Sequence, residues 1–175
     1  MSAPGTSTTD AGTGDESPVT AVPTAADGVR LWEIADASRV LDVNSRYAYV
    51  LWCRDFAATS IVARLGGRVV GFVTGYVRPE QPDTLFVWQV AVHEEARGRR
   101  AAALMLDDLV TRVGVPYLET TITDDNAASI AMFSGLAERR DAHVRRTELF
   151  DRALLGAEHD PEFLYRIGPM TLTRG

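Results

Sequence analysis

The stretch Thr84 to Val92, TLFVWQVAV, is almost wholly apolar and runs without a break into a charged turn, HEEARGRR, and then an alanine- and leucine-rich segment. A short apolar run of this kind reads as a central strand covered on both faces. From Arg100 to Val113 the chain carries Ala103, Leu104, Leu106, Leu109, Val110 and Val113 at helical spacing, and Pro116 marks the exit. A second strand, YLETTI, and a second helix, TDDNAASIAMFSGLA with Asn126 in its first turn, follow directly. Two adjacent strands that each feed a helix define an α/β layout. The crevice beyond their C-terminal ends is where such sheets take ligands.

The remaining chain fits around that unit. Residues 1 to 28 are small, polar and rich in Pro and Gly, with Val19 and Val22 the only bulky apolar residues after Met1. They cannot offset their own ordering entropy and read as a disordered tail. Order is expected to begin with a short strand, VRLWEI, from Val29. One or two helical turns at DASRVLD and a helix over SRYAYVLWCRDF come next, with Ser45 as N-cap. TSIVARL and RVVGFVTGYV form a hairpin about Gly66-Gly67, and RPEQPD is a loop. In the more polar C-terminal third, RDAHVRRTELF and FLYRI read as strands and DRALLGAEHDPE as a loop. The expected order is β-α-α-β-β-β-α-β-α-β-β, one domain over 29–168 with a short tail at 169–175.

Composition narrows the function. With 24 acidic and 18 basic residues the net charge is −6, which argues against a broad nucleic-acid footprint. No apolar run approaches the roughly 18 residues of a membrane span, and the N-terminus lacks a secretory pattern. A soluble cytoplasmic protein is expected. All 18 basic residues are arginine, so neither a Walker A lysine nor a Schiff-base lysine exists. The single cysteine, Cys53, excludes an intrachain disulfide. No spacing of His, Asp and Glu suggests a metal site.

The turn at Arg97-Gly98-Arg99-Arg100 opens a helix. A helix N-terminus offers unpaired N–H groups and a positive dipole end, which together suit an anion such as a phosphate. Gly98 allows close backbone approach, and the arginines can close on the ligand. A solvated turn with capping charges is the alternative.

FVWQVAVHEEARGRRAAALML followed by LETTITDDNAASIAMF resembles the Gcn5-related N-acetyltransferase (GNAT) superfamily, in which a strand, a loop of pattern Q/R-x-x-G-x-G/A and a helix bind acetyl-CoA. LDVNSRYAYVLWCRDFAATSIVA, GFVTGYVRPEQPDTLFVWQVAV and LETTITDDNAAS are more narrowly similar to the diaminobutyrate acetyltransferases of ectoine synthesis, over residues 29 to 168. The resemblance implies a GNAT fold, a mixed but mostly antiparallel sheet flanked by helices. It also implies direct transfer of an acetyl group to the γ-amine of L-2,4-diaminobutyrate, and a homodimer. It assigns acetyl-CoA to Val90, Ala91 and Val92, to the loop Arg97, Gly98, Arg99, Arg100, Ala101 and Ala102, and to Asn126, Ser129 and Phe133. Arg100 stands where the pattern has a glycine. With helical φ a side chain is tolerated there; with positive φ it costs of order 1 kcal/mol. Phe133 stands near where many members carry a proton-donating tyrosine.

For the acceptor, Asp42, Asn44, Ser45 and Tyr47 form a plausible lip over a pocket, although Asp42 is equally a helix cap and Tyr47 equally core. Trp88 and Gln89 should alternate between pocket and core, with Trp88 facing substrate. AEHDPEF gathers Glu158, His159, Asp160 and Glu162 in a loop that is either simply solvated or supplies a proton relay. Glu119 is the other candidate base. His93 and His143 read as surface residues and Cys53 as part of an apolar helical stripe. The rivals are an acetyltransferase for another small amine and an idle CoA-binding domain.

Overall fold

The computed structural model describes residues 16–39, 41–156 and 159–171. Its elements are β1 (Val19–Ala21), α1 (Gly28–Ser38), α2 (Arg46–Asp55), β2 (Ile61–Leu65), β3 (Arg68–Arg78), β4 (Gln81–Val92), α3 (Ala101–Val113), β5 (Tyr117–Ile122), α4 (Ala127–Arg139), β6 (Val144–Phe150), α5 (Arg152–Leu155) and β7 (Glu162–Ile167). The strands make one sheet in the order β1-β2-β3-β4-β5-β7-β6. Every pairing is antiparallel except β4 with β5. No helix among the described residues is long and apolar enough to cross a membrane.

Two cores hold the layers together. Leu85, Val87, Met105, Leu106, Leu109, Leu118, Phe133 and Leu136 join the sheet to α3 and α4. Leu31, Ile34, Ala35, Tyr49, Cys53, Val62, Phe72 and Ala91 join it to α1 and α2 on the other face. Burial pushes the Cys53 thiol up to about 11, with Asp27 adding to the shift, so it stays protonated and acts as a small core residue.

The N-terminal reading needs two corrections. Val29 to Ile34 is helical rather than extended, because Leu31, Ile34 and Ala35 share one buried helix face. Six residues with apolar positions at both spacings do not separate the two readings. Residues 16–28 are not a tail either. Val19–Ala21 pair with Val62–Arg64 at the sheet edge, and the Asp27 carboxylate bonds the Thr24 N–H at 2.8 Å and Arg64 at 2.9 Å. Burial alone would raise the Asp27 pKa, but the Thr24 and Arg64 bonds outweigh it and hold the group below the usual carboxylate range. At the other end Met170 is buried in the core and its N–H donates to the Pro116 carbonyl, so the expected C-terminal tail is tied down at least to Thr171. The loop reading of DRALLGAEHDPE also gives way at Arg152–Leu155, which forms α5 with Asp151 as N-cap.

Candidate active site

The site is made by two strands that part company. β4 and β5 pair only from Thr84 with Tyr117 to Phe86 with Glu119; beyond that β4 continues to Val92 along β3 and β5 to Ile122 along β7, no longer paired with each other. On the other edge of β4 the register slips. Thr74 opposes Gln89, but Gly75 opposes Val87, which leaves Trp88 as the extra residue of a β-bulge. Gly75 makes room for the kink, since a Cβ there would lie 2.7 Å from the Phe86 carbonyl oxygen.

The bulge reverses which side chains face which layer. Leu85 and Val87 pack toward α3 and α4, whereas Ala91 packs toward α1 and α2. The expected alternation of Trp88 and Gln89 therefore fails: both line the opening between the strands. Trp88 is half-exposed and packs at a tilt against Trp52, ring centroids 4.5 Å apart. Gln89 is buried, accepts from the Tyr49 hydroxyl at 3.0 Å and donates to the Asp42 carbonyl at 2.9 Å. Ala91 turns into the α1/α2 core, so only its backbone faces the ligand side.

Backbone direction matters as much. The His93 N–H donates to Val70 on β3. Successive strand N–H groups point to opposite sides, so those of Val90 and Val92 point away from β3, toward the gap that β5 has vacated. An unpaired donor there is placed to meet an oxyanion.

A cavity of about 380 Å³ fills the gap. Asp42, Trp88, Gln89, Val90, Asn126, Ser129, Phe133, His159, Asp160 and Glu162 all border it, as do Thr121 and Leu155. Asn126 also caps α4, its Oδ1 accepting from the Ser129 N–H at 3.1 Å. Asp42 caps nothing; Ser45 is the N-cap of α2. Glu162 has one carboxylate oxygen buried without a partner among the described residues. Burial raises its pKa above the usual carboxylate range; a Thr121 hydrogen bond opposes this, and Asp42 and Asp125 add to it. A carboxyl so perturbed, in a cleft, is a candidate for proton transfer.

Other candidates lie apart. Tyr47 is 72% exposed and borders neither the cleft nor the core. Asn44 is half-buried and interacts with Tyr49 instead. Glu119 is buried with both oxygens engaged, by Arg78 at 2.7 Å and Arg166 at 2.6 Å, and it does not border the cleft. Glu158 falls outside the described residues. Val92 and Arg97 border a smaller hollow of about 130 Å³.

After β4 a single 3-10 turn, Glu94–Ala96, leads into the loop. His93 caps this turn, its side chain accepting from the Glu95 N–H. Arg97, Gly98, Arg99 and Arg100 are all exposed. Gly98 has φ of 75° and Arg100 has φ of 58°, the latter as N-cap of α3. The arginine therefore occupies the left-handed region, the costlier of the two alternatives. The first turn of α3, from Ala101, presents its N–H groups without intrahelical acceptors. A strand edge with a free donor, leading to such a turn, fits an extended ligand with a carbonyl at one end and a pyrophosphate at the other.

The model of the acetyltransferase (GNAT) family matches residues 28–136. This chain belongs to the GNAT acetyltransferase family. Among its GNAT relatives, the L-2,4-diaminobutyric acid acetyltransferase of Streptomyces coelicolor is 57% identical over 155 residues, spanning 85% of this chain and 91% of its own length. That of Nocardia farcinica is 54% identical, spanning 85% and 78%. Among solved structures, the diaminobutyrate acetyltransferase EctA of Paenibacillus lautus, in complex with its substrate L-2,4-diaminobutyric acid and coenzyme A, superposes with a TM-score of 0.84. It is 35% identical and covers 91% of this chain and 99% of that one.

The motif reading located β4, the loop and α4. It missed the bulge at Trp88, the contribution of Thr121, and the ion cluster of Arg78, Glu119 and Arg166. None of these has a local signature, because each exists only through pairing across strands.

Proposed function

We propose that the chain transfers the acetyl group of acetyl-CoA to the γ-amine of L-2,4-diaminobutyrate by direct attack. The observation that carries this is the parted β4/β5 cleft. It brings a free backbone donor, a phosphate-type loop and a proton-accepting carboxyl into line, in a chain more than half identical to diaminobutyrate acetyltransferases.

Acetyl-CoA supplies a thioester, and the chain's residues do the rest. An amine of pKa ~10.4 costs roughly 4 kcal/mol to present neutral near pH 7.5. Glu162 takes that proton; Asp42, across the same cavity, attracts the incoming ammonium. The Val90 N–H stabilises the oxyanion, and the loop from Arg97 to Ala102 with the start of α3 holds the pyrophosphate. No tyrosine lines the cleft among the described residues. Phe133 has no proton to give, so the departing thiolate takes one from water or from His159. Cys53, buried and protonated, forms no acyl intermediate.

Exposed Val144 and Leu149 on the edge strand β6 favour the homodimer that the resemblance implies, which sedimentation velocity would test. The reading also places the enzyme in the cytoplasm, on the route to ectoine. The direct test is thiol release from acetyl-CoA with 2,4-diaminobutyrate, ornithine, lysine and putrescine in parallel. Turnover with 2,4-diaminobutyrate far above the others is expected; turnover that favours another amine would reassign the acceptor.

A further inference from the structure

The α1/α2 layer covers only part of its sheet face. Beyond it, Tyr76, Arg78, Phe86, Trp88, Glu119 and Thr121 border a second cavity of about 600 Å³. It shares Trp88 and Thr121 with the cleft, so the two adjoin.

Its floor carries an uneven set of charges. Glu119, 3% exposed, lies between Arg78 and Arg166. Gln81 accepts from both arginines, at 3.1 and 3.3 Å. One carboxylate against two guanidiniums leaves one positive charge unmatched. Arg166 is spoken for: it lies over the Tyr117 ring at 4.1 Å, also donates to Thr84, and does not border the cavity. Arg78 does border it, and both of its hydrogen bonds use Nη1. Its Nε and Nη2 have no partner among the described residues. A half-buried guanidinium with two idle donors on an aromatic-walled cavity is built to take a carboxylate.

We propose that Arg78 binds the α-carboxylate of the acceptor and so selects an amino acid over a simple diamine. This rests on the acceptor reading above. With the γ-amine between Glu162 and Val90, the carbon chain passes Trp88 toward Arg78. Glu119 and Thr121 are two residues apart on β5, about 7 Å, a gap that a four-carbon acid and an arginine side chain readily span. Glu119 and Arg166 fix the guanidinium in place.

The test compares kcat/KM for 2,4-diaminobutyrate with that for 1,3-diaminopropane, the same chain without its carboxylate. Wild type is expected to prefer the amino acid. In Arg78→Gln that preference should fall about 10- to 100-fold, the effect of losing a charge-assisted bond, while the KM for acetyl-CoA holds. Arg78→Lys should lose less. Equal losses with both acceptors, or an unchanged preference, would overturn the assignment and leave Arg78 a structural or subunit-contact residue. If Arg78→Gln does not fold, Arg78→Lys decides alone: a reduced preference supports the proposal and an unchanged one ends it. Wild type inactive with 2,4-diaminobutyrate would instead sink the acceptor reading.

Discussion

On the proposed function, the two ends of the site would recognise their ligands in different ways. The end from Val90 to Ala102 would work with backbone: strand N–H groups released where β5 departs, a loop, and the first turn of α3. The end formed by Asp42, Trp88, His159 and Glu162, with Arg78 in the adjoining cavity, would work with side chains drawn from a loop, three strands and the segment before β7. Backbone recognition tolerates many sequences and demands one conformation. Side-chain recognition tolerates little change in identity. Substitutions at the acceptor end should therefore strike turnover or specificity, whereas those at the cofactor end should act through backbone conformation.

Glu162→Gln should have the largest effect. Removing the proton acceptor lowers kcat by about 10²- to 10⁴-fold with little change in the KM for acetyl-CoA. Wild-type kcat/KM for the amine should rise with pH through a range above that of an ordinary carboxylate, and the variant should lose that step. Stability should move the opposite way. A carboxyl whose folded pKa is raised contributes stability at low pH that is lost as pH rises through the folded value. At neutral pH the variant should thus melt at or above wild type. A variant both inactive and much less stable would point to a structural role.

Gln89→Leu comes next. It removes one of the Tyr49 hydroxyl's partners, leaving Asn44, and releases the Asp42 carbonyl, so a loss of about 1–3 kcal/mol is expected in chemical denaturation. The acceptor KM should rise with it, because Gln89 fixes the backbone that carries Asp42. An acceptor KM that stays put would separate Asp42 from the site. Asp42→Asn, which keeps that carbonyl bond, should raise the acceptor KM roughly tenfold, the usual scale of about 1.4 kcal/mol for a lost charge contact, and leave acetyl-CoA binding alone. Isothermal titration with each ligand separates the two ends.

The same contrast explains what could be read from the chain without its fold. The backbone-built end was legible: an apolar run, a turn with Gly98 and a helix announce themselves by local pattern. The side-chain end was legible only as a residue list. Asp42, Trp88, His159 and Glu162 meet because β4 bulges at Trp88 and leaves β5 after Phe86, and neither event has a local cause. The ion pairs of Glu119 were hidden for the same reason, as its two arginines come from β3 and β7. The early strand at Val19 escaped notice because its three residues become ordered only by pairing with β2; the helix at Gly28 looked extended because α2, which covers it, is a later element.

Arg100→Gly should give the smallest effect and tests the backbone side of the contrast most directly. At φ of 58° the arginine is in a conformation that costs a residue with a Cβ about 1 kcal/mol or more. Glycine removes that strain but gives the unfolded chain more freedom, which returns about 0.4–1 kcal/mol. The net change in stability should be below about 1 kcal/mol, a melting shift of a few degrees at most. Acetyl-CoA affinity is then the informative quantity. If the loop binds through its N–H groups alone, the variant should bind as well as wild type or better. If the exposed guanidinium also meets phosphate, affinity should fall, and the difference between the two proteins should shrink as salt is added, since exposed charge pairs are screened. Equal changes in the KM for acetyl-CoA and for the amine would mean that the turn from Arg97 to Ala102 does not hold the pyrophosphate.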